Sequence, residues 1–136
     1  MQFKAPKNTA KYYWTKHIQM KMRQYGISES RVKRILRAPL RTETGIADET
    51  IAVMQPVSTR YDRATKQKTW TQEYWLLYQV RHHKKNLDIT NADPALLASL
   101  GATTQLRLIS VWRYPGVTKP GEGVPEEVLA DLAEVL

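Results

Sequence analysis

The stretch TWTQEYWLLYQVR, residues 69–81, constrains the fold more than any other part of this chain. In a strand, successive side chains point to opposite faces. Tyr74, Leu76, Tyr78 and Val80 then fall on one side with Trp70 near it, while Trp75 and Leu77 occupy the other. Apolar groups on both faces are expected of a central strand rather than a sheet edge. Glu73, set among them, is expected to have an arginine partner, because an unpaired buried carboxylate is costly.

The flanking segments follow other periods. Residues 15–25 read as a helix, with Thr15 as N-cap, Gly26 as its stop, and Ile18, Met22 and Tyr25 on one apolar stripe. Ser28 caps a second helix that turns Val32, Ile35 and Leu36 inward and ends at Pro39. RTETGIA (41–47) and TIAVMQPVSTR (50–60) alternate as strands joined by a short connection, and YDRATKQK (61–68) reads as a charged turn at a hairpin tip. Residues 82–105 form an excursion holding a short helix, PALLASL, before the last strand, LRLISVWRYPG (106–116).

The expected fold is therefore α+β and a single domain over 1–136. A basic arm (1–13) precedes two N-terminal helices and a roughly four-stranded antiparallel sheet. A linker and an acidic C-terminal helix (117–136) follow. That last helix, PEEVLADLAEVL, carries an apolar stripe. It either packs on the sheet or lies across the basic surface as a mimic of a partner.

Charge is distributed unevenly. Through residue 85 there are 18 Lys/Arg against 6 Asp/Glu, and beyond it 3 against 7. A basic body points to a polyanion, with RNA or the ribosome as the expected partner. Without cysteine, neither a disulfide framework nor a thiolate metal site is available. His82 and His83 are adjacent, so a strand would direct them to opposite sides and not onto one metal. No metal or other cofactor is expected. The opening residues lack a secretory h-region, and no apolar run reaches the ~20 residues of a membrane span. The expected setting is cytoplasmic, with no membrane partner.

The segment TKHIQMKMRQYGISESRVKRILRAP (15–39) resembles the signature of an uncharacterised bacterial domain family related to the RelE/ParE toxin-like fold and close to the BrnT toxins. His17, Met22, Gly26, Ile27, Ser28, Val32, Ile35, Leu36 and Pro39 stand at signature positions. RLISVWRYP is similar to the BrnT closing strand at Arg107, Ile109 and Ser110, and Trp14 stands where BrnT-like chains place a tryptophan. The chain departs from that pattern at Lys21, at Tyr25 and at Trp112, which displaces the closing-strand arginine to Arg113. The resemblance implies a RelE/BrnT-like fold and a translation-inhibiting endoribonuclease, or a descendant of one, held by an antitoxin-like protein partner. The alternative is a non-catalytic RNA- or ribosome-binding module, and a gyrase binder of ParE type is a third reading.

Metal-independent RNA cleavage needs a base, cationic support for the phosphate and an acid. His17 is the candidate base, since imidazole titrates near neutrality. Arg41, Arg107 and Arg113 are candidate phosphate stabilisers, and Glu43 the residue that orients them. The competing reading makes His17 a structural residue and Arg41–Glu43 an interior ion pair. Strand alternation places Arg107, Ile109, Val111 and Arg113 on one face. Candidate RNA contacts are Lys16, Arg31, Lys33, Arg34 and Arg37 on the helices, and Arg60, Arg63, Lys66 and Lys68 near the hairpin tip. Such a run is otherwise a solvated face. Trp75 and Trp112 are expected in the core, whereas Tyr12, Tyr13 and Trp14 are the aromatics expected nearest the surface.

Overall fold

A computed structural model describes residues 3–44, 49–82, 104–122 and 128–130. The elements are β1 (Tyr12–Trp14), α1 (Lys16–Tyr25), α2 (Glu29–Arg37), β2 (Arg41–Thr44), β3 (Thr50–Pro56), β4 (Arg60–Asp62), β5 (Gln67–Thr69), β6 (Glu73–His82) and β7 (Thr104–Tyr114). Five strands form one sheet in the order β1-β7-β6-β3-β2, with β1 parallel to β7 and the other pairs antiparallel. β4 and β5 form a separate two-stranded ribbon.

This corrects the expected order of two helices followed by a roughly four-stranded antiparallel sheet and a C-terminal helix. The helices are bracketed by strands, the main sheet is mixed, and strand outweighs helix among the described residues. The reasons are local. β1 is three residues long, too short to show a period of two, and begins within the last residues of what reads as a basic arm. It exists because the free edge of β7 supplies its ladder, with Tyr12, Tyr13 and Trp14 opposite Leu106, Arg107 and Leu108. The ribbon was equally hidden, since Gln67, Lys68 and Thr69 are all exposed and carry no apolar alternation. Its four-residue connection is set by Asp62, which accepts a hydrogen bond from the Ala64 amide at 2.9 Å, and by Lys66, whose φ is 56°.

β6 is the middle strand of five, and both of its faces are buried. On one face Tyr74 and Leu76 meet Val53, Leu108 and Val111 under Trp14, Ile18, Met22, Ile27, Val32 and Ile35. On the other, Trp75 and Leu77 meet Ala52, Met54, Ile109, Trp112 and Val128. Trp70 packs against this second cluster rather than the first. Trp75 and Trp112 are core residues, stacked at 6.1 Å with ring planes 8° apart. Trp14 is buried as well, and Tyr13 is the exposed member of its trio.

Of the expected C-terminal helix, residues 128–130 are described and are helical. Val128 is buried on the sheet face opposite α1 and α2, so at this point the acidic segment packs on the sheet and not over the α2 cations. The PALLASL helix and His83 lie outside the described residues. No helix among those described is long and apolar enough to cross a membrane.

The two helices have the caps their sequences announce. Thr15 Oγ1 accepts the Ile18 amide at 3.1 Å, and Ser28 Oγ accepts the Arg31 amide at 3.1 Å. Gly26 closes α1 at φ 65°, a left-handed conformation that favours glycine, and the Ile27 amide returns to the Met22 carbonyl at 2.9 Å. Thr15 also ties helix to sheet, because its buried hydroxyl donates to the Leu108 carbonyl at 2.8 Å. Thr15→Val, which removes every bond of the hydroxyl while keeping the volume, is expected to destabilise the fold by about 2 kcal/mol in urea titrations, with Thr15→Ser recovering most of the loss.

Candidate functional site

The bulge in β7 decides where its arginines point. Leu77 pairs with Ser110 but Tyr78 pairs with Leu108, so Ile109 is an extra residue between them. An inserted residue shifts the alternation by one. Arg107 therefore lies on the face of Ile109 and Trp112, whereas Arg113 lies with Leu108 and Val111 on the helix-covered face. The expected common face of Arg107, Ile109, Val111 and Arg113 is not formed, because Ile109 interrupts the period.

Arg113 donates from Nη2 to the Tyr25 carbonyl at 3.2 Å, at the C-terminal end of α1. His17 is half-buried in the first turn of that helix, about 12 Å away along its axis. Arg41 and Glu43 are on the opposite side of the sheet, where the Arg41 guanidinium lies over the Trp75 ring at 5.1 Å. Arg107 shares that second face, but β7 and β2 are three strand spacings apart, roughly 14 Å. Burial lowers the Arg107 pKa, the neighbouring Arg81 charge lowers it further, and Tyr13 opposes them. Of the five residues expected to carry catalysis, the structure brings together only Arg41 and Glu43.

That pair belongs to a latch. Arg41 Nε donates to Glu43 Oε1 at 3.0 Å, and its Nη1 donates to the Thr118 carbonyl at 2.9 Å. Glu43 Oε1 also accepts the Gly121 amide at 3.1 Å. The strand residues thus hold the segment that follows β7 across the β2 edge.

Glu73 anchors the same segment from the central strand. Its side chain is fully buried, yet among the described residues no arginine meets it. Instead, Oε2 accepts the Trp70 indole N–H at 2.9 Å, while Oε1 accepts the Trp75 indole N–H at 3.1 Å, the Thr118 hydroxyl at 2.6 Å and the Thr118 amide at 3.2 Å. Burial pushes this carboxyl up. The bonds from the Thr118 side chain, the two indoles and the Thr118 backbone outweigh that push and hold it below its ordinary value. Neutral donors suffice because each bond to a carboxylate is charge-assisted. Nothing in the spacing of Trp70, Trp75 and Thr118 signals this convergence, which needs the chain to turn back after Tyr114.

The candidate RNA contacts fare differently. Lys16, Arg34 and Arg37 are exposed on α1 and α2, as are Arg60, Arg63, Lys66 and Lys68 on the ribbon. Lys33 pairs with Glu29 at 3.3 Å and lies 5.7 Å from the Tyr12 ring centroid, a ring that Lys11 also approaches at 5.3 Å. Arg31 is half-buried, donating to Gln55 Oε1 at 3.3 Å. Among the described residues, Lys16, Arg31, Arg34, Arg37, Arg60, Arg63, Lys66 and Lys68 have no ion-pair partner.

Comparison of the chain with protein-family models, with curated proteins and with solved structures gives no match.

The Glu73 site makes a pH prediction. Its folded pKa is lowered, so its stabilisation is complete above the ordinary carboxylate range and is lost as pH falls through the folded value. Glu73→Gln is expected to cost about 2 kcal/mol at neutral pH and to flatten the acid limb of stability against pH, as read by denaturation at a series of pH values.

Proposed function

We propose that this chain is an RNA-directed binding module that reads backbone charge, on RNA or the RNA surface of the ribosome, and performs no cleavage of its own. The observation that carries this reading is the set of exposed cations on α2 and the ribbon, Arg34, Arg37, Arg60, Arg63, Lys66 and Lys68, which lack acidic partners among the described residues. Unpaired surface cations gain by displacing the counterions of a polyphosphate, and this term sets affinity without reading bases. The half-buried Tyr12, close to Lys11 and Lys33, adds aromatic surface beside the basic one.

The dispersal of the catalytic candidates supports binding over cleavage. General-base attack needs the base and the phosphate-stabilising groups within about 3 Å of one reacting centre. His17 and Arg113 stand at opposite ends of α1, and Arg41 and Glu43 lie beyond the sheet in a closed latch.

The test is fluorescence anisotropy with single-stranded RNA between 50 and 200 mM salt, roughly the range over which backbone contacts lose most of their strength. Binding is expected to weaken steeply with salt, and the Arg34→Gln/Arg37→Gln double variant to flatten the log–log slope by about 1.4, or 0.7 for each lost contact. The RNA should remain intact throughout. Cleavage that disappears in His17→Ala would overturn the reading in favour of a nuclease, and salt-insensitive or absent binding would remove RNA as the partner.

A further inference from the structure

The ribbon of β4 and β5 adds no side chain to either core cluster, yet it carries an aromatic one. Tyr61 is 63% exposed, more than any other large apolar side chain described. Among the described residues its hydroxyl has no hydrogen-bond partner, and no ring or cation lies against its face. A ring left in water forgoes the burial that makes aromatic side chains stabilising. It is nevertheless held in a defined place. Arg60, Tyr61 and Asp62 pair with Thr69, Lys68 and Gln67, so the ring stands on a paired strand and not on a loop.

The register decides its neighbours. Directly opposite residues of an antiparallel pair share a face, with Cβ atoms about 4.5–5.5 Å apart. Tyr61 therefore shares its face with Lys68, while Arg60 and Asp62 share the other with Thr69 and Gln67. Asp62 is the one carboxylate of residues 60–69, and it lies on that reverse face, where it accepts the Ala64 amide. Lys68 has no acidic partner among the described residues, and neither do Arg63 and Lys66 at the turn. One open ring thus stands beside one open cation, with no acidic group of the ribbon on the same face.

We propose that the Tyr61–Lys68 face of the ribbon seats one unpaired base and the phosphate beside it, which makes the ligand a single strand. A nucleotide joins a flat π face to a singly charged phosphate, the counterparts of the ring and the ammonium. Stacking on an aromatic side chain accepts every base, so it adds affinity without reading sequence. A base inside a duplex is covered on both faces by its neighbours and has none to give to Tyr61. An anionic membrane surface is the poorer match, because Tyr61 is the only large apolar side chain in residues 60–69. Interfacial anchoring draws on a broader apolar face than one ring. This inference rests on the RNA-binding function proposed above and names the strandedness of its ligand.

The full chain is titrated by fluorescence anisotropy against one RNA oligonucleotide, alone and annealed to its complement. The single strand is expected to bind more tightly than the duplex. Tyr61→Ala is expected to weaken single-strand binding roughly tenfold and to leave the salt slope unchanged, since no phosphate contact is lost. Tyr61→Phe should restore the affinity, whereas Tyr61→Val, which suits a strand but has no π face, should bind as weakly as Tyr61→Ala. Lys68→Gln is expected to weaken binding and also to flatten the log–log slope by about 0.7. Native-like affinity in Tyr61→Val, or equal affinity for single strand and duplex, would overturn the base seat while leaving charge-led RNA binding in place. Failure of the native chain to bind either RNA would overturn both readings. Uptake onto phosphatidylserine–phosphatidylcholine vesicles, lost in Tyr61→Ala, would then make the ring a lipid anchor.

Discussion

The structure depends on the double-sided burial of β6. A strand with Leu76 on one face and Trp75 and Leu77 on the other cannot end a sheet, and it cannot leave either face in water. Neighbours are needed on both edges and cover on both sides. β3 and β7 provide the edges, α1 and α2 cover one face, and the chain around Val128 contributes to the other. Fully burying each large apolar side chain contributes about 1.5–3 kcal/mol, so the two clusters together outweigh any single polar contact in the molecule.

Polar groups then decide how the chain is held at the rim. Glu73 sits at the start of β6, where an uncompensated charge would undo much of what burial supplies. Two indoles and Thr118 satisfy it, and in doing so they bring the segment after β7 back over the sheet. Arg41 and Glu43 continue that line on β2. Groups whose types suggest acid–base chemistry are here occupied in closing a surface, with their lone pairs and donors turned towards backbone and tryptophan.

The helix-covered face has a different character. Arg31 and Arg113 are held there by a tyrosine ring, a glutamine and a carbonyl, and among the described residues Arg34 and Arg37 have no acidic partner, whereas Lys33 pairs with Glu29. Positive charge that is positioned but not neutralised is a binding resource, since the missing counter-charge can come from a ligand. Ile109 is the reason Arg107 and Arg113 lie on different faces: six residues apart in an unbroken strand, they would share one.

By itself, the sequence determined the features whose causes are local. Thr15, Gly26, Ser28 and Pro39 mark the limits of α1 and α2 because capping, a left-handed turn and a blocked amide act within a few residues. The apolar run around Trp75 marked β6 as central because its pattern spans the whole strand, and the uneven charge marked the basic body. Only the tertiary structure decided the parallel pairing of β1, the bulge at Ile109, the bonds from Thr118 to Glu73 and the placing of Arg31 on Tyr74. Each joins residues tens of positions apart, and the choice among such pairings is made by backbone donors and buried charges seeking partners across the fold, which no local period records.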